Sequence, residues 1–438
     1  MAAGTWTTQN KVRPGAYINF NTVPKAVGTV GDRGIMTMPL SLSWGESGKV
    51  MAIEAGEDVF TKLGYSITDP KLLLVNEALK RASKILLYRL NTGVKATATS
   101  DNLTITAKYG GIRGNDITVK ITANIDQPTK FDVSTLLSGA VMDVQTVENI
   151  SGLKANDWVI FSGTGALIVS AGIPLTTGGD GTITNQNYID YLAAVEIFDF
   201  NTMALPVTDN TLKSTAVSFC KRLREDEGKK IQIVVENYPA ADYEGVISVK
   251  NGVLLTDGTT LSAVQTVAWV AGATAAAQIN ESLTYAAYDG AADVIPKYTN
   301  SQIIAALQAG EFVFTAKDNK AVVEQDINTL TSLTPTKGKA FRKNRVIRVL
   351  DSINNDFVRI FGDFYIGKVD NNADGRNLLK NECISYLDTL QGINAIQNFN
   401  SQTDIVVQQG IDADSVYIET YTQPVDSIEK IYMKVQVV

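Results

Sequence analysis

Apolar residues recur at three- and four-residue spacing in several stretches of this 438-residue chain, the signature of helices that bury one face. In KLLLVNEALKRASKILLYRL at 71–90, Leu72, Val75, Leu79, Ala82 and Leu86 keep that spacing, and Glu77 precedes Arg81 by four residues. The pattern predicts one amphipathic helix. TLKSTAVSFCKRLRED reads as a helix at 209–226 leading into the strand IQIVVEN at 231–237; another helix is expected over 260–277, and SQIIAALQAG at 301–310 leads into EFVFTA. This alternation, from 186 to 335, predicts a βαβ-type sheet flanked by helices. Residues 95–180 differ. There Thr, Val and Ile dominate short runs (LTITAKY, DITVKITA, DWVIFSG, ALIVSAG) separated by Gly, Asn and Asp, as in a small β-sandwich or barrel inserted between α/β segments.

The two ends follow neither pattern. Residues 1–25 carry Lys11, Arg13 and Lys25 with no acid, are interrupted by Gly4, Pro14, Gly15 and Pro24, and hold one strand-like run, Ala16–Phe20. They read as an extended arm. Beyond 336 comes the most basic stretch, Lys337, Lys339, Arg342, Lys343, Arg345 and Arg348 without an acid, then a long helix, a second helix around 376–391, and two strand-like runs, SVYIETYTQ and EKIYMKVQVV. In the last run Ile431, Met433, Val435 and Val437 alternate with Tyr432, Lys434 and Gln436, the period of a half-buried strand.

The fold expected is therefore α+β and multidomain. A central α/β domain carries an inserted β-sandwich or barrel, followed by an α+β C-terminal domain, with strand-forming arms at both ends. The boundaries read 1–26 (arm and linker), 27–94 (α/β segment), 95–180 (peripheral β-sandwich), 181–335 (central α/β), 336–427 (C-terminal α+β) and 428–438 (strand arm). Arms unable to fold alone suit β-augmentation between subunits. Fixing backbone costs about 1–2 kcal/mol per residue, and each hydrogen bond returns only about 0.5–1.5 net. Apolar side chains must supply the surplus, and the candidates are Tyr17, Ile18, Phe20, Ile431, Met433, Val435 and Val437.

Composition narrows the chemistry. The chain is 45% hydrophobic and 19% charged, with a net charge of −7 and no histidine. Generic nucleic-acid binding is disfavoured, and Ser-His-Asp, Cys-His and His-zinc chemistry are excluded. Cys220 and Cys383 sit in apolar, helix-like contexts and read as reduced structural thiols. Gly362-Asp-Phe-Tyr-Ile-Gly367-Lys368 has P-loop spacing, but Val369 replaces the Ser/Thr and no helix follows at once. Asp370–Gly375 matches half of a calcium loop but has Asn381 where the bidentate Glu belongs, so a tight turn is expected. No catalytic, cofactor or metal site is assigned. The opening residues lack the apolar stretch of a signal peptide, and the longest apolar tract, around 263–279, is interrupted by polar residues and Gly. The chain is expected to be made in the cytoplasm without inserting into a membrane.

Four stretches, VRPGAYINF at 12–20, KYGGIRGND at 108–116, DGRNLLKNECISYLDTLQ at 374–391 and QPVDSIEKIYMKVQV at 423–437, together resemble the contractile tail sheath family of myovirus-type phages and phage-derived particles, in its shorter Gram-positive form. The resemblance implies a non-enzymatic subunit, made in a host bacterium, that polymerises as stacked hexameric rings around a tail tube and contracts to drive the tube through a target envelope. It implies other sheath subunits, the tube protein, and baseplate and tail-terminator proteins as partners, arms linking neighbours, a peripheral 95–180 module and a tube-facing inner domain. Within that domain Arg342, Lys343 and Arg345 are the expected tube- or neighbour-facing cations. A secreted or surface β-rich adhesin is the alternative of another class, and the missing signal peptide counts against it.

Overall fold

A seven-stranded sheet organises most of the chain. Its order is Glu311–Phe312, Val246–Val249, Gln232–Glu236, Thr202–Ala204, Ile35–Leu40, Lys84–Arg89 and Val50–Glu54. Every pairing is parallel except at the Val50–Glu54 edge, which runs antiparallel to Lys84–Arg89. The computed structural model describes residues 2–4, 12, 15–17 and 30–437. Two compact units result, one of residues 31–355 with 424–438 and a smaller one of 1–30 with 356–423.

Because helices cover both faces of the sheet, its strands are apolar on both sides. Met36, Met38, Ile85, Leu87, Val234 and Ile247 face one core with Trp269 of the helix Ala263–Ala276. Leu86, Tyr88, Met203, Ile233, Val235 and Val246 face the other with Leu212, Phe219 and Leu223 of the helix Asn210–Glu225. Asp209 starts that second helix by accepting from the backbone N–H of Thr211 and Leu212 at 2.7 and 3.0 Å, a conventional N-cap. The first, capped by a Ser262–Gln265 box, packs so closely on the helix Leu73–Leu79 that a Cβ on Gly272 would lie 2.5 Å from the Ala78 carbonyl oxygen.

One expectation fails here. The single helix read over 71–90 is a short helix, Leu73–Leu79, followed by the strand Lys84–Arg89. The expected Glu77–Arg81 pair goes with it: Glu77 pairs with Lys80, and Arg81 with Asp289. A strand buried on both faces has no polar alternation, so Ile85 to Tyr88 satisfied helical spacing by being apolar throughout.

Residues 95–180 form two antiparallel sheets. One holds Ala140–Val147, Phe131–Leu137, Ile117–Ala123 and Ser170–Pro174; the other holds Val159–Ser162, Leu103–Gly110 and Lys95–Ser100. Ile105, Val119, Ile121, Val133 and Trp158 fill the space between them. Trp44, outside this stretch, is fully buried there and stacks on Trp158 with ring centroids 5.3 Å apart. Arg89, also buried, donates to the carbonyls of Gly45 at 2.7 Å and Gly110 at 2.6 Å. Burial lowers its guanidinium pKa to about 10. Gly111, at φ +136° with its virtual Cβ 2.0 Å from the Ser43 carbonyl oxygen, admits no side chain at this junction.

In the smaller unit the end of the helix Asn344–Phe364, the helix Ala373–Gly392 and the hairpin Ile405–Gln409/Val416–Thr420 come together. Phe357 packs against Phe361 and Tyr386 at 5.1 and 5.0 Å, and the Tyr386 hydroxyl donates to Asp356 at 2.7 Å.

Candidate assembly site

The C-terminal segment has a gripped root and an exposed end. Residues 425–437 contain no strand, so the strand read at 431–437 is not formed within the chain. Ile431, Met433, Val435 and Val437 are 84, 82, 72 and 96% exposed. The strand pattern is real in sequence, but without a neighbouring strand there is nothing to complete its hydrogen-bond ladder.

Glu429, just before this end, is held. Its carboxylate accepts from Thr284 Oγ1 at 2.9 Å, from Gln325 Nε2 at 2.6 Å and from Lys343 Nζ. Burial opposes ionisation, but the bonds from Lys343, Gln325 and Thr284 outweigh it and hold the carboxyl below its ordinary pKa. The surrounding groove, about 790 Å³, is lined on one side by Asp426–Lys430 and on the other by Tyr285, Ile304, Leu307, Lys339 and Arg342.

The basic run feeds this region. Besides Lys343, Arg342 donates to the Leu307 carbonyl at 2.8 Å, closing the end of the helix Asn300–Gln308. Arg345 is half-buried, and burial lowers its pKa with Asp426 opposing. Lys337 pairs with Glu244 at 2.6 Å, and Arg348, 1% exposed, donates to the Glu281 carbonyl at 2.5 Å. At the other terminus, Gly15–Tyr17 pairs parallel with Ala2–Gly4; Ile18 and Phe20 lie outside the described residues.

The two loop motifs are built as helix ends. Gly362 lies within the helix Asn344–Phe364, Gly367 turns at φ +71°, and Lys368 donates to the Asp363 carbonyl. Asn372 caps the helix Ala373–Gly392 by accepting from Gly375 N at 2.8 Å. Burial pushes both Cys220 and Cys383 thiols up to about 12, so neither ionises near neutral pH. Among the described residues no helix is long and apolar enough to cross a membrane.

Sequence reasoning missed Glu429 and Trp44. Neither carries a local signal, since their partners lie far off in sequence.

The chain matches sequence families described as the Gp18 domain III N-terminal region of tail sheath protein over 33–90, the phage tail sheath protein beta-sandwich domain over 91–180, its central domain over 181–329 and the phage tail sheath C-terminal domain over 336–438. It is 40% identical to the phage-like element PBSX protein XkdK of Bacillus subtilis, over 100% of both chains. The crystal structure of the sheath tail protein of Desulfitobacterium hafniense is 69% identical, with a TM-score of 0.88 covering 97% of this chain and 100% of that one. The contracted helical sheath of the anti-feeding prophage, 13% identical with a TM-score of 0.57 over 97% and 98% of the two chains, shares the fold. The matched regions follow one another from residue 33 to the C-terminus, and relatives align end to end; the chain belongs to the phage tail sheath protein family, whose members are structural proteins related to contractile sheaths.

Proposed function

We propose that the chain is the repeating subunit of a contractile tail sheath, made in a host bacterium's cytoplasm and polymerised as stacked hexameric rings around a tail tube, between a baseplate and a tail terminator. Contraction into a shorter, wider packing drives the tube through the target envelope. The energy is stored as the difference between two packings of the same subunits.

The single observation that carries this reading is the apolar C-terminal end, with Ile431, Met433, Val435 and Val437 in water while Glu429 is held. A monomeric protein gains nothing by presenting such a segment; a subunit that donates a strand to its neighbour does. Tyr17, Ile18 and Phe20 are assigned the matching role at the N-terminus. The module at 95–180 is assigned to the periphery and residues 336–427 to the tube side. Arg342, Lys343 and Arg345 are assigned to the neighbour side only through the C-terminal segment, whose root Lys343 holds within its own subunit.

Electron microscopy of the purified chain tests this. Tubes or rings are expected from the full chain, and a folded, non-polymerising subunit from a variant lacking 431–438. Polymers formed equally well by the truncated chain would refute the role of the segment, and a full chain that stays monomeric at every salt and protein concentration would refute the sheath assembly itself.

A further inference from the structure

We infer that Glu429 is a positioning residue, which fixes where and in which direction the C-terminal segment leaves its own subunit so that it reaches a second copy of this chain from a set origin. The inference rests on the reading that this segment joins copies.

The grip on Glu429 is itself anchored. The Thr284 hydroxyl accepts from the Asp326 backbone N–H at 3.0 Å and from Ser282 Oγ at 3.2 Å, so its one proton is directed to Glu429. The Asp326 carboxylate accepts from Leu283 N at 3.0 Å and from Asn344 Nδ2 at 2.8 Å. Asn344 Oδ1 in turn accepts from Gln232 Nε2 at 3.1 Å, and Gln232 belongs to the central sheet. Asn344, Asp326 and Gln232 are 0, 1 and 3% exposed. An unbroken polar chain, buried from Gln232 to Asp326 and half-buried at Thr284, therefore runs from the parallel sheet to the root of the segment. Two residues beyond Glu429, Ile431 is 84% exposed.

That boundary has a consequence for association. A segment with an ordered root loses less freedom on docking, and its effective concentration at the neighbour is highest when the flexible part is short. Releasing Glu429 moves the start of the flexible part toward Pro424 and requires the root to be re-ordered at each docking event. Loss of a charge-assisted hydrogen bond shifts such an equilibrium by about tenfold or more. The fold should survive, because Glu429 belongs to neither face of the sheet's core and the Lys343 side chain, 18% exposed, has water within reach.

The experiment uses the full chain, the variant Glu429→Ala, the charge swap Lys343→Glu with Glu429→Lys, and the chain lacking 431–438. Glu429→Ala is expected to raise the protein concentration needed for polymerisation about tenfold or more, to increase the mobility of a nitroxide label at Ile428→Cys, and to leave Tm near that of the unaltered chain. The swap, to which Gln325 can turn its acceptor oxygen, is expected to recover most of the assembly. If the truncated chain polymerises normally, the reading of the segment as the joining element fails. If truncation abolishes assembly while Glu429→Ala polymerises at the unaltered concentration, the positioning role alone is overturned. Should Glu429→Ala also lower Tm, the swap decides: recovered assembly sustains the role, and failure to recover it overturns the role.

Discussion

Serine substitution along the C-terminal segment separates its two faces. Once paired as a strand, Ile431, Met433, Val435 and Val437 would share one face and Tyr432, Lys434 and Gln436 the other. The odd-numbered side chains are 72 to 96% exposed in the single subunit, so nearly all their apolar surface remains available for burial against a neighbour. Fully burying such a side chain is worth about 1.5–3 kcal/mol. Allowing for incomplete burial in the partner, Val435→Ser should weaken association by about 1–2 kcal/mol, roughly a 5- to 30-fold change in equilibrium constant. Met433→Ser with Val435→Ser should lose more than either alone. Tm of the unassembled subunit should stay unchanged, because these side chains are already in water. Lys434→Ser and Gln436→Ser are the control, altering strand propensity without removing apolar area. Sedimentation across a concentration series measures association, and circular dichroism measures Tm on dilute subunit. Equal losses from odd and even positions, or no loss from Val435→Ser, would refute a one-faced strand donation.

Three further outcomes are expected. Arg224 and Asp351 form a buried bidentate pair at 2.7 and 2.8 Å, 127 residues apart; Arg224→Ala should cost about 3–5 kcal/mol by stranding the carboxylate, read as a lower denaturant midpoint, and Arg224→Met with Asp351→Leu should recover much of it. Replacing 95–180 by a short Gly/Ser linker together with Trp44→Ser should leave polymerisation intact by electron microscopy, since the module's core owns Trp44 and a peripheral module carries few assembly contacts; a folded remainder that no longer polymerises would reject the peripheral placement. The depressed pKa of Glu429 means its contribution is present above the ordinary carboxylate value of about 4.3 and lost as pH falls through the lower folded value, so the mobility of a nitroxide label at Ile428→Cys should stay low at pH 6–8 and rise only in acid, and Glu429→Gln should abolish that step.

The parts of the fold legible in sequence are those where one residue pattern has one structural solution. The helix Asn210–Glu225 follows a capping Asp209 and a repeating apolar stripe, and the short Thr- and Val-rich strands of 95–180 alternate cleanly, as in Ile117–Ala123 with Ile117, Val119 and Ile121 buried. Lys84–Arg89 was not legible, because being buried on both faces removes the alternation that distinguishes a strand from a helix. Trp44 was not legible as part of the β-module's core either. Its neighbours in sequence, Ser43 and Gly45, say nothing of Trp158, which it meets only once the chain has traversed most of the module.

For the assembly site the division is sharper. An apolar alternation at the chain's end is visible in sequence because it is periodic, and its use requires only a partner strand. A charge carries no comparable information: Lys343 and Glu429 are 86 residues apart, and Thr284 is 145 residues from Glu429. Read alone, the cations from 337 to 348 look available to an outside partner, yet Lys337, Arg342, Lys343 and Arg348 all bind acids or carbonyls of their own chain. Of these only Arg348 is buried, and leaving it unpartnered would cost several kcal/mol; the partly exposed Lys337, Arg342 and Lys343 keep water within reach and meet Glu244, the end of the helix Asn300–Gln308 and Glu429. The basic run and the C-terminal segment, which look independent along the sequence, thereby meet in one ion pair, Lys343 with Glu429.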